Sequence, residues 1–200
     1  MEKVHEMVVK CVEVLDPEIK IQFEDVPAGY SLPDKKQIIL PLYQYDFLMI
    51  FRAALRETAH VLFSTKVPEC NLEYEESMSL DTIEQAFVNY HFCQRFPKFE
   101  VTLNRFYKEG IEGGAVGGVI GADDFWKELE YVLFDVDVAE GCYSDRCKKL
   151  YDNGVIQELW ELIQSAKSTE ELIPGAKSLV QRFKDLNVDF PSIDRSHTPQ

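Results

Sequence analysis

Between Phe47 and Phe63 the apolar residues Phe47, Ile50, Phe51, Ala54, Leu55, Ala59, Leu62 and Phe63 recur at three- and four-residue spacing. That period marks one face of an α-helix, so a long core-packed helix is expected over residues 45–64. Residues 2–15 carry the same period through Val4, Met7, Val8, Cys11, Val12 and Leu15, and Asp16-Pro17 should end them. Residues 19–23 alternate apolar with polar and suit a short strand that ends in Asp25 to Gly29. A turn-rich loop over 28–36 leads to a second strand over 37–40, closed by Pro41. Residues 65–79 read as loop, with Glu73, Glu75 and Glu76 as a solvated acidic group. Ser79 is placed to cap a helix over 80–94, with Asp81 and Thr82 in its first turn. Pro97 interrupts, and 99–108 continues as a second helical piece. Further helices are expected over 123–134, 154–166 and 168–186, before a flexible tail over 187–200. The whole is expected to be one α+β domain over 1–186, predominantly helical. In it a small antiparallel or mixed sheet packs on the long helix, and the C-terminal half is helical.

Composition narrows the function classes. Of 200 residues, 46% are hydrophobic and 12% aromatic, which suits a chain with a packed core. A net charge of −14 disfavours direct nucleic-acid binding, which needs cations to neutralise phosphates, and disfavours an anionic membrane surface. Charges from Glu2 onward interrupt any signal-like apolar run, and no stretch has the length of a membrane helix. Five cysteines at irregular spacing fit reduced thiols and a cytoplasmic setting, the host cytoplasm if the protein is viral. Cys142-x4-Cys147 lacks the second pair that a zinc knuckle needs. None of Cys11, Cys70 and Cys93 has the local surroundings of an activated thiolate.

The candidate chemistry lies within the long helix, at Arg56-Glu57-Thr58-Ala59-His60. Zinc hydrolases of the zincin type set two histidines at i and i+4 on one helical face, with a glutamate after the first as general base. Here Glu57 fills the base position and His60 the second ligand position. Arg56 stands where the first ligand would be, and a guanidinium has no lone pair to give a metal. The glycine-rich stretch 110–121 holds six of the ten glycines, but no Gly-Lys-Ser/Thr follows it, so it reads as a flexible connection and not a phosphate loop.

The wording around this pentapeptide resembles a particular group. The stretch from Leu55 to Thr65, Leu-Arg-Glu-Thr-Ala-His-Val-Leu-Phe-Ser-Thr, is similar to a His-Glu-x-x-His-x-Leu-Phe-Thr segment. That segment occurs in metallopeptidase-like domains that precede a von Willebrand factor A domain, in phage and plasmid proteins related to the cobaltochelatase CobT subunit. Upstream, Ser31 to Pro41 resembles that group's Thr-Asp-Gly-x-x-Ile-x-Leu-Pro segment. Downstream, Thr82 to Asn89 sits where the group has an Ile-Glu-Asp-x-Arg-Ile-Glu helix, and Arg95-Phe96-Pro97-Lys98-Phe99 follows as an Arg-Phe-Pro-Gly-Phe-like end. The resemblance covers about residues 20–107. It departs at Arg56, at Gln85, Phe87 and Asn89, and in lacking a von Willebrand module within the 200 residues.

The resemblance implies a zincin-like fold, a phage-associated setting, and Glu84 on the following helix as a carboxylate ligand beside His60. His91, seven residues after Glu84, is a substitute third ligand in the same reading. Two alternatives stay open from the residues. In one, Glu57 polarises a water on a zinc held by His60 and Glu84, and the chain is an active hydrolase, a peptidase with an atypical site. In the other, Arg56 forms an ion pair in place of the metal, no cofactor is expected, and the chain is a pseudoenzyme that binds a protein or peptide partner. The expected docking edge for such a peptide is the strand over 37–40.

Overall fold

A computed structural model describes residues 2–43, 47–65, 71–102, 125–134 and 144–190. Its contacts divide the chain into two compact units. One comprises residues 1–68, 88–103 and 168–170, the other residues 69–87, 104–167 and 171–200.

The first unit opens with α1, Glu2–Leu15, which ends at Asp16 as expected. The Asp16 carboxylate accepts from the Glu18 N–H at 2.9 Å and fixes the turn into the sheet. Val8 and Val12 are fully buried, whereas Met7, placed on the apolar side by the sequence period, is 52% exposed. Three strands follow: β1, Lys20–Glu24, β2, Tyr30–Leu32, and β3, Gln37–Pro41. Their order is β1-β3-β2, with β1 parallel and β2 antiparallel to β3.

Two expectations are corrected here. The loop over 28–36 contains strand β2 and a 3-10 turn over Pro33–Lys35. Lys36 leaves that turn at φ 48 in the left-handed region, its N–H returned to the Pro33 carbonyl. The strand over 37–40 is not an edge but the centre of the sheet. Its run of Ile38, Ile39 and Leu40 is buried on both faces, as a strand paired on both sides allows.

Helix α2, Phe47–Phe63, lies across β2 and β3, and Ile50 and Ala54 join Ile38, Leu40, Val8, Val12 and Ile19 in one apolar cluster. Beyond its end, Thr65 and Thr169 exchange two hydrogen bonds, each N–H to the other's hydroxyl at 3.0 Å.

Helix α3, Tyr74–Arg95, starts well before the expected Ser79. Ser79 is instead fully buried inside the helix and donates back to the Glu75 carbonyl at 2.8 Å. The acidic group forms the N-terminus: Glu75 and Glu76 lie in the first turn, and the Glu76 carboxylate accepts from the Glu73 N–H at 3.1 Å. A 3-10 turn over Pro97–Phe99 follows, and the piece expected over 99–108 is helical to residue 102. Residues 103–124, with the glycine-rich stretch, lie outside the described residues.

The described helices of the second unit are the first part of α3, α4, Phe125–Phe134, α5, Asp145–Asp152, α6, Val155–Ser165, and α7, Ile173–Asp185. The last helix is entered through a 3-10 turn over Thr169–Leu172. The sequence pattern did not announce α5, because its buried residues are only Cys147 and Leu150. Gly154, at φ 75, makes the reversal into α6. At Gly175 a Cβ would come within 2.2 Å of Leu162 Cδ2, so α6 and α7 meet where a side chain is missing. Within the stretch expected to be a tail, Val188 is buried and Phe190 sets its ring 5.0 Å from Trp126 and 5.1 Å from Phe183, while residues 191–200 lie outside the described residues. The fold is α+β and predominantly helical. Among the described residues no helix is long and apolar enough to cross a membrane.

Candidate functional site

Helix α2 carries Arg56, Glu57 and His60 without interruption. Their neighbours Ala54, Leu55, Thr58 and Ala59 are buried, and Thr58 donates its hydroxyl to the Ala54 carbonyl at 2.6 Å, so the backbone here is held by packing on both sides of the motif. Glu57 itself is only 7% exposed.

Its polar partner comes from the sheet. Ser31 on β2 pairs with Ile38 on β3, and paired residues point to the same face. Ile38 packs into the cluster with Ile50 and Ala54, so that face is the one under α2. The Ser31 hydroxyl accordingly hydrogen-bonds the Glu57 carboxylate. Burial pushes the Glu57 carboxyl above its ordinary value, while the positive fields of His60 and Arg56 and the Ser31 hydrogen bond pull against that rise.

His60 is half-buried, with Nδ1 at 2.8 Å from Ser64 Oγ one turn later. That contact orients the ring within the helix and occupies one of its two nitrogens. His91, on the part of α3 in the first unit, packs its ring 6.0 Å from Phe63 and 5.2 Å from Tyr90. Glu84 is half-buried on the part of α3 in the second unit.

The site brings together Glu57, His60, Arg56 and Ser31. Sequence reasoning missed Ser31, although the residue lies in a segment quoted for its family resemblance. Only the strand register shows that it faces Glu57.

Whether these residues suit a resident zinc ion follows from the donor set. Zinc in catalytic sites takes three protein ligands. Arg56 cannot serve, and among the described residues no group of three or more His, Cys, Asp or Glu side chains gathers. The described residues do not fit a three-ligand zinc centre.

No family model, curated protein or solved structure matches the chain. The site is therefore read from its own chemistry. It is a buried carboxylate beside an arginine and a histidine, set below an edge strand. It can hold a proton or accept hydrogen bonds, and it gives the β2 side of α2 a fixed acidic point.

Proposed function

We propose that the chain is a degenerate zincin-like protein, phage-associated, that acts as a binding or assembly module for a protein or peptide partner. The observation that carries this reading is Arg56 beside Glu57, on the helix that packs under edge strand β2. A guanidinium there supplies fixed positive charge near where a zincin would hold its dication, and it offsets part of the cost of burying Glu57 without metal. What remains usable is the edge strand above it.

Strand β2 has a sheet neighbour on one side, β3. Its other side has backbone groups with which an extended peptide can pair, and Tyr30 is 43% exposed beside them. A net charge of −14 favours partners rich in Lys and Arg.

The test is peptide capture with proline placed on β2. Tyr30→Pro and Ser31→Pro sample the two backbone orientations of the strand. The one whose N–H points outward should abolish capture of basic peptides and leave the melting transition in place. Capture that survives both substitutions in folded protein removes strand addition, and chelator-sensitive peptide cleavage by the wild type removes the binding-module reading altogether. A second measurement addresses ancestry: Arg56→His should raise zinc affinity at least tenfold over wild type in equilibrium dialysis. No gain would mean that the site is not a decayed zinc centre.

A further inference from the structure

Helix α1 has two apolar stripes, and its own unit fully covers only one of them. Val8, Val12 and Leu15 are buried on the core side. Beside them run Val4, Met7, Cys11 and Val14, at alternating three- and four-residue spacing. Val4 and Cys11 are half-buried, whereas Met7 is 52% and Val14 84% exposed. This spacing is that of a seam between paired helices, and here it faces outward over about 15 Å of helix.

The flank of this stripe away from the core carries a second row, Lys3, Glu6, Lys10 and Glu13, all exposed. Its signs alternate, so the row complements itself when it is read backwards. Antiparallel alignment with a second α1 sets Lys3 near the other helix's Glu13 and Lys10 near its Glu6, once in each direction. The same alignment seats Val4 against Val14 and Met7 against Cys11. A two-fold axis across such a pair also keeps charged flank beside charged flank, whereas parallel alignment would lay each charged flank along the other helix's core side. We propose that this face of α1 binds α1 of a second copy of the chain, antiparallel, in a symmetric dimer. A net charge of −14 repels copies at a distance, but the row itself holds two Lys and two Glu and adds no net charge at the contact. One short seam is smaller than the interface of a permanent dimer, so association is reversible and depends on concentration.

Sedimentation equilibrium of the full chain from about 10 to about 500 μM, with reductant present, tests the assignment. The average mass should rise from that of one chain toward that of two. Met7→Glu and Val14→Glu, both at exposed positions, should each weaken association at least tenfold and leave the melting temperature unchanged. Lys10→Glu turns two attractions into two repulsions and should weaken association about tenfold. Adding Glu6→Lys to it exchanges the two charges and should restore the wild-type value, a rescue that the antiparallel register requires. A chain that stays monomeric at the highest concentration, a dimer indifferent to Met7→Glu and Val14→Glu, or a double exchange without rescue would each overturn the assignment. So would a monomer that binds phosphatidylserine vesicles through Met7 and Val14, since the face would then belong to a membrane surface.

Discussion

Glu57 and Glu128 are the two buried carboxylates among the described residues, 7% and 2% exposed, one in each unit. Burial pushes both above the ordinary carboxylate value. Their surroundings differ. Glu128, on α4, accepts from both the N–H and the hydroxyl of Ser144, the residue that caps α5, and the same hydroxyl accepts from the Cys147 N–H at 3.3 Å. Glu57 has one serine hydroxyl, with His60 and Arg56 as its charged or polar neighbours. Two hydrogen bonds to a helix start close the first carboxylate and tie α4 to α5. The second has one hydrogen bond, and its charged neighbours only partly offset its burial, a shortfall that a binding partner can make up. A buried acid by itself is thus a poor marker of function, and the kind of neighbour that compensates it is a better one.

The largest test of this contrast is truncation. Glu128→Ala should cost about 3 kcal/mol, since it strands two donors of Ser144 and opens a void, whereas Glu57→Ala should cost about 1 kcal/mol. Urea unfolding of the two variants decides it, and equal losses would erase the distinction. Ser144→Ala removes the cap and the hydroxyl that donates to Glu128 while keeping the backbone N–H bond, and should cost between about 1 and 2 kcal/mol with no change in peptide capture. A fall in capture would tie α5 to the binding site.

The smallest effect is in pH. Because burial raises Glu57 above its ordinary value of 4.5, the folded chain holds that proton more tightly than the unfolded chain. Its contribution to stability is therefore complete below that value and is lost as pH rises through the folded pKa. Wild type should gain stability relative to Glu57→Gln as pH falls from 7 toward 4.5, read as the difference between two series of urea midpoints. A difference that runs the other way would mean that Arg56 and His60, not burial, dominate this carboxyl.

Much of the fold was legible where a period ran long enough to be read. α1, α2 and α6 follow their apolar spacing closely, and β1 and β3 appear within a residue of the alternation that announced them. Strand β2 was not legible, because three residues between turn formers carry no period. Glu73 to Glu76 misled in the opposite direction: acidic residues read as solvated loop, but they are also what a helix N-terminus selects. At the site, the Glu57–His60 spacing was visible in one segment. Ser31 and the Glu128–Ser144 pair depend on contacts between segments that no local pattern encodes.

The strand order has a consequence for how the chain assembles. β2 and β3 are joined by one short turn, with Leu32 opposite Gln37, so this hairpin closes from local contacts alone. β1 must travel further to set Lys20 beside Gln37, and loop closure of that kind comes later in folding. Until it arrives, Ile38, Ile39 and Leu40 form an open apolar border that a second nascent chain can occupy as readily as β1. Refolding from denaturant exposes this border in every chain at once. Yields on refolding should therefore fall with protein concentration, and added peptide with the sequence of β1 should restore them.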